Sequence, residues 1–169
     1  MQILLPLLVA VSSLAAPLHA QDSGTVTLTF GTWGPEEWVV ADEASGWLQD
    51  QKTGQYQFTI SASPPEDPQA GAPLFGHMVL RLGLLYAAFP EDLVIEGVPG
   101  KYVATIDEGD LSFIMTGIRQ QDSDGIVLLE GDFSATAPLK EPSASATNQD
   151  PLPVEGKLSV SLGPSIAGN

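Results

Sequence analysis

The side chains of this chain that could do chemistry are mainly carboxylates. Its 169 residues include 21 Asp and Glu, two histidines and no cysteine. The lack of cysteine excludes disulfides, thiol nucleophiles and thiolate metal sites. Beyond residue 20 the histidine is His77, which lies in an apolar, alternating stretch, and no G-x-S-x-G motif accompanies it. Nucleophilic catalysis and a transition-metal site each need several such groups together, so neither is predicted.

Two acidic turns offer the oxygen ligands that calcium prefers. Residues 107–110 read DEGD and residues 122–125 read DSDG, and hard cations bind carboxylates presented on turns. Neither turn matches the twelve-residue EF-hand loop. The candidate ligands are Asp107, Asp110, Asp122 and Asp124. Asp and Gly also serve turns for backbone reasons alone, so a calcium-stabilised structural module stands as an alternative, and no other cofactor is predicted.

Adjacent acids, such as Glu36-Glu37 and Glu91-Asp92, raise a second alternative, a carboxylate-based hydrolase acting on envelope glycan. Neighbouring side chains of a strand point to opposite faces, so only pairs in loops could converge. A glycosidase needs two carboxyl groups on either side of the bond that it cleaves. The sequence locates no such pair, and no catalytic residue is predicted.

Three tryptophans lie in the first third of the chain, at Trp33, Trp38 and Trp47. Large aromatic side chains usually bury in a β-sandwich core, but exposed ones stack on sugar rings or anchor protein interfaces. Trp47 lies in a stretch flanked by Gly and Asp. Trp47 and Trp33 are therefore the candidate contacts for a ligand or partner.

Period-two alternation of apolar and polar residues predicts the strands that position these groups. Residues 42–54 are expected to form a loop with at most one helical turn. About nine short strands with turn residues between them predict an all-β fold, an antiparallel β-sandwich with a barrel as the alternative. The predicted strands span residues 25–30, 36–41, 55–62, 76–85, 93–98, 102–106, 111–118, 126–137 and 154–162.

The strand at 126–137 has an echo at 154–162, since Glu-Gly is followed in both by an apolar residue and then alternating small or hydroxyl residues. The residues between them, 138–153, are rich in Pro, Ser and Ala and are expected to form a mobile loop. The alternation predicts that Phe133 and Leu158 are equivalent core positions, with Ala135 and Val160 two residues further on. Gly131 and Gly156 are expected to mark a bulge or a close strand approach.

Residues 1–20 read as a secretory signal peptide, because an apolar run too short to span a bilayer precedes a small-residue stretch ending at Ala20. Residues 21–169 are expected to form a single β-sandwich domain with little or no helix. That part keeps the full net charge of −15. Such a charge repels phosphates and anionic lipid head groups, so nucleic acid is excluded as a partner, and no membrane span is expected after signal cleavage.

These observations predict an exported, acidic, disulfide-free protein, secreted or periplasmic, that is not an enzyme. Its expected role is a binding or interaction module that presents loops or a sheet edge to an unknown protein or glycan. The sequence does not identify the partner further.

Overall fold

A computed structural model describes residues 23–66, 75–98, 100–108, 110–121, 124–142 and 150–165. This part of the chain is built from strands, with short 3-10 turns at Asp42–Ala44 and Ile106–Glu108. No helix within it has the length and apolar character needed to cross a membrane. The strands are β1 (Gly24–Phe30), β2 (Trp33–Val40), β3 (Gly46–Gln49), β4 (Tyr56–Ser63), β5 (Phe75–Leu84), β6 (Ala88–Gly97), β7 (Gly100–Thr105), β8 (Leu111–Gln120), β9 (Val127–Ala137), β10 (Leu139–Pro142) and β11 (Leu152–Leu162).

The eleven strands form one antiparallel sheet in the order β10-β7-β6-β5-β4-β2-β1-β11-β9-β8, with β3 paired to β4 beside that path. Only two residue pairs, Val39–Ser63 and Val40–Ala62, join β2 to β4. The sheet folds over at this weak junction into a front layer (β8, β9, β11, β1, β2) and a back layer (β3, β4, β5, β6, β7, β10), whose inner faces share one hydrophobic core. The predicted all-β sandwich is confirmed, and β8 and β10 remain the two ends of an open sheet in the described chain.

The junction of β9 with β10 forms the second corner of the sandwich. β9 ends at Ala137 in the front layer, and β10 pairs with β7 in the back layer from Leu139 onwards. Between them, Val103 N donates to the Pro138 carbonyl over 3.0 Å. Proline has no backbone donor and cannot continue a ladder on both sides, so Pro138 is a suitable place for the chain to change partner.

All nine predicted strands are present, and two short strands were missed. β3 lies inside residues 42–54, after the single predicted helical turn, and β10 lies inside the expected loop at 138–153. That loop is therefore shorter at both ends than expected, because β11 also begins earlier, at Leu152; residues 143–149 lie outside the described residues. Each missed strand has only four residues, which is too short for a period to emerge, and Pro142 is tolerated because β10 is an edge strand.

The predicted alternation of β9 and β11 is confirmed. Phe133 and Leu158 are buried, while their neighbours Ser134 and Ser159 are exposed. Ala135 and Val160, two residues further on, are buried as well. A slip of one residue would have turned every one of these side chains to the other face, so the register of the two strands is established by their burial.

The two echo strands are neighbours that pair without interruption from Leu152–Ala137 to Leu162–Val127. Within this ladder Gly156 is opposite Phe133, and Gly131 is opposite Leu158. The Phe133 ring lies over Gly156, so that a methyl group at position 156 would overlap it. The expected close approach at Gly156 is thus an aromatic ring covering a glycine.

The Gly156–Phe133 contact yields a stability prediction. Gly156→Ala should destabilise the fold by about 1–3 kcal/mol, because the buried Phe133 ring would have to shift to make room for the methyl group. Gly76→Ala, a strand position where a methyl group meets nothing within 4 Å, should change stability by less than about 0.5 kcal/mol. Urea unfolding measures both.

The same experiment contains its own control. In a Phe133→Leu background, which gives the methyl group room, the additional cost of Gly156→Ala should shrink markedly. Equal costs in the two backgrounds would mean that the ring does not lie over the glycine.

Candidate functional site

A depression lined largely by polar residues runs across the outer face of β1, β11, β9 and β8 in the front layer. One part, of about 340 Å³, extends from Thr27 and Thr29 to Ser112 and Ile114. A second part, of about 370 Å³, continues towards Asp110 and Thr136. Both parts share Ser112, Ser134 and Glu155 as lining residues, so they form one continuous groove, here called the front groove.

Strand register places the groove side chains in two rows. Alternate residues of each strand face outwards, and paired outward residues of neighbouring strands lie side by side. The row nearer the middle of the face is Thr27–Lys157–Asp132–Ile114, and the next row is Thr29–Glu155–Ser134–Ser112. In the second row the hydroxyls of Ser112 and Ser134 are 2.8 Å apart and share a hydrogen bond.

Charged groups of the front groove are available for a ligand. Lys157, Asp132 and Glu155 are all exposed. Ion pairs between described residues join Arg81 to Asp92, Lys101 to Glu96 and Lys101 to Glu141, all on the back layer. Lys157 takes part in none of these pairs. The groove therefore presents a cation, the strand carboxylates of Asp132 and Glu155 and, at one end, Asp110 within a lining of hydroxyls.

The two carboxylates on the strands of the groove, Asp132 and Glu155, do not have the arrangement that a glycosidase needs. Asp132 and Glu155 lie on neighbouring strands of the same sheet face, with Lys157 directly opposite Asp132. A hydrolase of the predicted type places its two carboxyl groups on either side of the scissile bond. A ligand on this face would meet both acids from one side, which suits binding.

The acidic turns lie at opposite ends of β8. Asp107 and Asp110 are exposed in the connection between β7 and β8, and Asp124 is exposed in the turn between β8 and β9. Asp122 lies outside the described residues. No three His, Asp or Glu side chains gather as metal ligands in the described part of the chain. Of the three predicted calcium ligands that the structure describes, Asp110 alone lines the front groove.

Trp47 makes intramolecular hydrogen bonds through both its side chain and its backbone. Its indole Nε1 donates to the Gly125 carbonyl over 2.9 Å, and its backbone pairs with Gly163 and Ser165 over 2.9 and 2.6 Å. Trp47 thus connects β3 to the β8–β9 turn and to the chain that follows β11. Trp33 is 41% exposed on β2, and neither tryptophan lines the front groove.

The structure contains a hydrogen-bonded Ser–His pair that the sequence did not predict. Ser61 Oγ and His77 Nε2 are 2.7 Å apart on the neighbouring strands β4 and β5. Ser61 is only 2% exposed, and its backbone N–H donates to Ser45 Oγ over 2.9 Å. A nucleophile must reach its substrate, so the pair stabilises the back layer and the β3–β4 region without offering a catalytic site.

The front groove itself was also missed, because its residues are ordinary outward positions of alternating strands. The signal that could have found it is the echo. If 126–137 and 154–162 are aligned as antiparallel partners about their midpoints, they come within half a residue of the observed register, in which Ser134 lies opposite Glu155 and Asp132 opposite Lys157. The contribution of β1 and β8 needs the strand order, which the sequence does not provide.

The internal role of Trp47 can be tested by removing its donor. Trp47→Phe should destabilise the protein by about 0.5–1.5 kcal/mol, since the Gly125 carbonyl loses its partner. Trp33→Phe, a matched change at an exposed position, should cost less than about 0.5 kcal/mol. Thermal unfolding of the two variants measures the difference, and equal Tm values would contradict the structural role of the Trp47 indole.

Comparison with known proteins identifies no relative of this chain. No protein-family model, no curated protein and no solved structure matches it. Any assignment of function therefore depends on the geometry of the front groove and of the strands that form it.

Proposed function

We propose that this protein is an exported binding module, without enzymatic activity, that holds a partner protein in the front groove. The observation that carries the proposal is the continuous outer-face groove, lined by hydroxyls, by Asp132 and Glu155, and by Lys157 without an ion pair to a described residue. These groups are not needed to hold the sandwich together, because the core lies on the opposite face of the same strands. Exposed polar groups beside an apolar contact are typical of transient protein interfaces.

A protein partner fits the front groove better than a glycan. Sugar-binding surfaces usually offer an aromatic ring for stacking, and the one aromatic residue of the groove lining, Phe133, is turned into the core. The apolar side chain that the groove does present is Ile114, which is 68% exposed. An isolated aliphatic contact flanked by hydroxyls and charges suits a polypeptide segment.

Export is supported by where the first described strand begins. The first strand starts at Gly24, four residues after the predicted cleavage point at Ala20. Ser23 O already accepts a hydrogen bond from Ser161 N over 3.0 Å. Cleavage after Ala20 would therefore leave every described strand intact. The absence of cysteine from the sequence makes the fold independent of an oxidising compartment.

The location can be measured on the protein produced from its full gene sequence in a bacterial host. Intact-mass analysis of the periplasmic and extracellular fractions should find a chain beginning at Gln21. A protein that stays in the cytoplasm with residues 1–20 attached would contradict export.

Partner binding can be mapped by site-specific photocrosslinking in the native cell. A benzophenone amino acid at Ser134, inside the front groove, should yield an adduct of higher mass. The same probe at Gln57, an exposed residue on the outer face of the back layer, should yield little or none, because the two positions lie in different layers but are both exposed strand residues. Protease sensitivity of the attached group identifies a protein, and glycosidase sensitivity identifies a glycan.

Adducts of similar yield at both positions, or at neither, would contradict a partner site in the front groove. A glycan adduct specific to Ser134 would retain the site and overturn the class of partner.

A further inference from the structure

We propose that the open edge of β8 pairs in antiparallel fashion with an extended, basic segment of the partner protein, which adds a strand to the front layer. This inference rests on the proposed function and specifies the chemistry of the partner. Addition of a strand to a free sheet edge supplies main-chain hydrogen bonds for affinity and places alternate side chains beside those of the edge strand for specificity.

β8 is the edge of this sheet best suited to such pairing. It has ten residues, contains no proline and pairs only with β9 in the described part of the chain. The opposite end of the sheet, β10, has four residues and ends at Pro142, and β3 also has four residues. Short edges and prolines are the usual protection of a sheet against strand addition, and β8 lacks both.

The first half of β8 offers a regular ladder. Its register with β9 is continuous from Leu111 to Met115 and shifts between Met115 and Gly117, where Thr116 is the extra residue. A bulge of this kind limits indiscriminate pairing. An incoming strand is thereby directed to the stretch that contains Ser112 and Ile114, the two β8 side chains that line the front groove.

Ile114 sets the apolar contact of the incoming strand. It is 68% exposed on the outer face and lies opposite Asp132 of β9. A residue that pairs with Ile114 from the open side would have its Cβ about 4.5–5.5 Å away. A β-branched or other apolar side chain at that place would cover Ile114 and remove it from water.

Glu130 sets the charged contact. It is opposite Gly117, and because glycine has no side chain, the Glu130 carboxylate lies over it, with Oε2 2.7 Å from where a Cβ of residue 117 would be. The carboxylate thus occupies the space that a side chain at position 117 of β8 would fill. It lies closer to the open edge than the backbone of β9 does. A lysine or arginine opposite Gly117 can reach it.

The negative charge of the chain favours a basic partner segment over a second copy of the chain at this edge. The chain has a net charge of −15, so a second copy would bring a like charge to the same place, which costs free energy. Glu130 and Asp132 of β9, with Asp110 just before β8, surround an edge strand whose own charged residue is Arg119. A basic segment complements this surface. Gly117 and Ile114 of β8 lie opposite Glu130 and Asp132, which are two residues apart on β9. A segment that runs antiparallel to β8 with the spacing of β9 therefore carries its basic residue two positions before its apolar one.

Synthetic peptides provide the direct test. The probe is the capped peptide TKTVTVT, whose lysine and first valine match Gly117 and Ile114 in antiparallel pairing. It should bind the full-length mature protein, and amide exchange in Leu111–Met115 should slow on binding. The same peptide with glutamate in place of lysine should bind at least about tenfold more weakly. The peptide with N-methyl groups on the amides that face β8 should not bind measurably.

Two matched variants test whether the Glu130 carboxylate is the group that the peptide lysine contacts. Glu130→Gln should weaken the lysine peptide about three- to fivefold, as expected for a solvent-accessible ion pair. Glu37→Gln removes the same charge from an exposed residue on β2 of the same face and should change affinity less than about twofold, because screening reduces the effect of a charge several strands away.

Equal binding of the N-methylated peptide would show contact without a ladder and would overturn the inference, as would slowed exchange in β8 that accompanies dimer formation in the absence of peptide. Failure of all the peptides together with specific crosslinks from Ser134 would overturn edge pairing alone and leave the front groove as the partner site.

Discussion

The pairing of β9 with β11 is the constraint on which the rest of this structure depends. It is the longest uninterrupted ladder of the sheet, and the Phe133 ring closes over Gly156 at its centre. Each of the two strands has a further partner, β8 beside β9 and β1 beside β11, so the ladder fixes four strands of the front layer. β9 then passes through Pro138 into β10, which pairs with β7 and brings the back layer over the same core.

The same ladder creates the polar face that we assign to binding. With Phe133, Leu158 and their alternate neighbours directed inwards, the residues between them must face solvent. Those residues are hydroxyls and charges, and the antiparallel register sets Asp132 beside Lys157 and Ser134 beside Glu155. A glycine on β8 allows Glu130 to lean towards the free edge. The same strand register therefore determines both the core packing and the proposed binding surface.

Sequence alternation was sufficient to find the nine longer strands, because a half-buried strand needs a period of two, and in β9 and β11 it also identified the side that faces the core. It was insufficient for β3, where Gly46 and a partly buried Trp47 leave no pattern, and for β10, where Lys140 and Pro142 resemble a loop. The sequence predicted less of the candidate site than of the fold. Trp47, a candidate ligand contact, has intramolecular partners at Gly125, Gly163 and Ser165, which are far away in sequence and which no local pattern indicates. Asp110 was a candidate cation ligand, and the sequence did not indicate that its backbone carbonyl accepts a hydrogen bond from Thr136 N. The front groove requires the order β1-β11-β9-β8, which no local pattern encodes.

Amide hydrogen exchange of the free protein, resolved residue by residue by NMR, tests the central claim most directly. Amides of β9 and β11 should exchange slowest, through global unfolding. Along Leu111–Met115 protection should alternate, because successive amides of β8 point in turn to β9 and to the open edge. Uniform strong protection along this stretch would show that the edge is already paired in the free protein, and it would contradict a binding surface that continues onto β8.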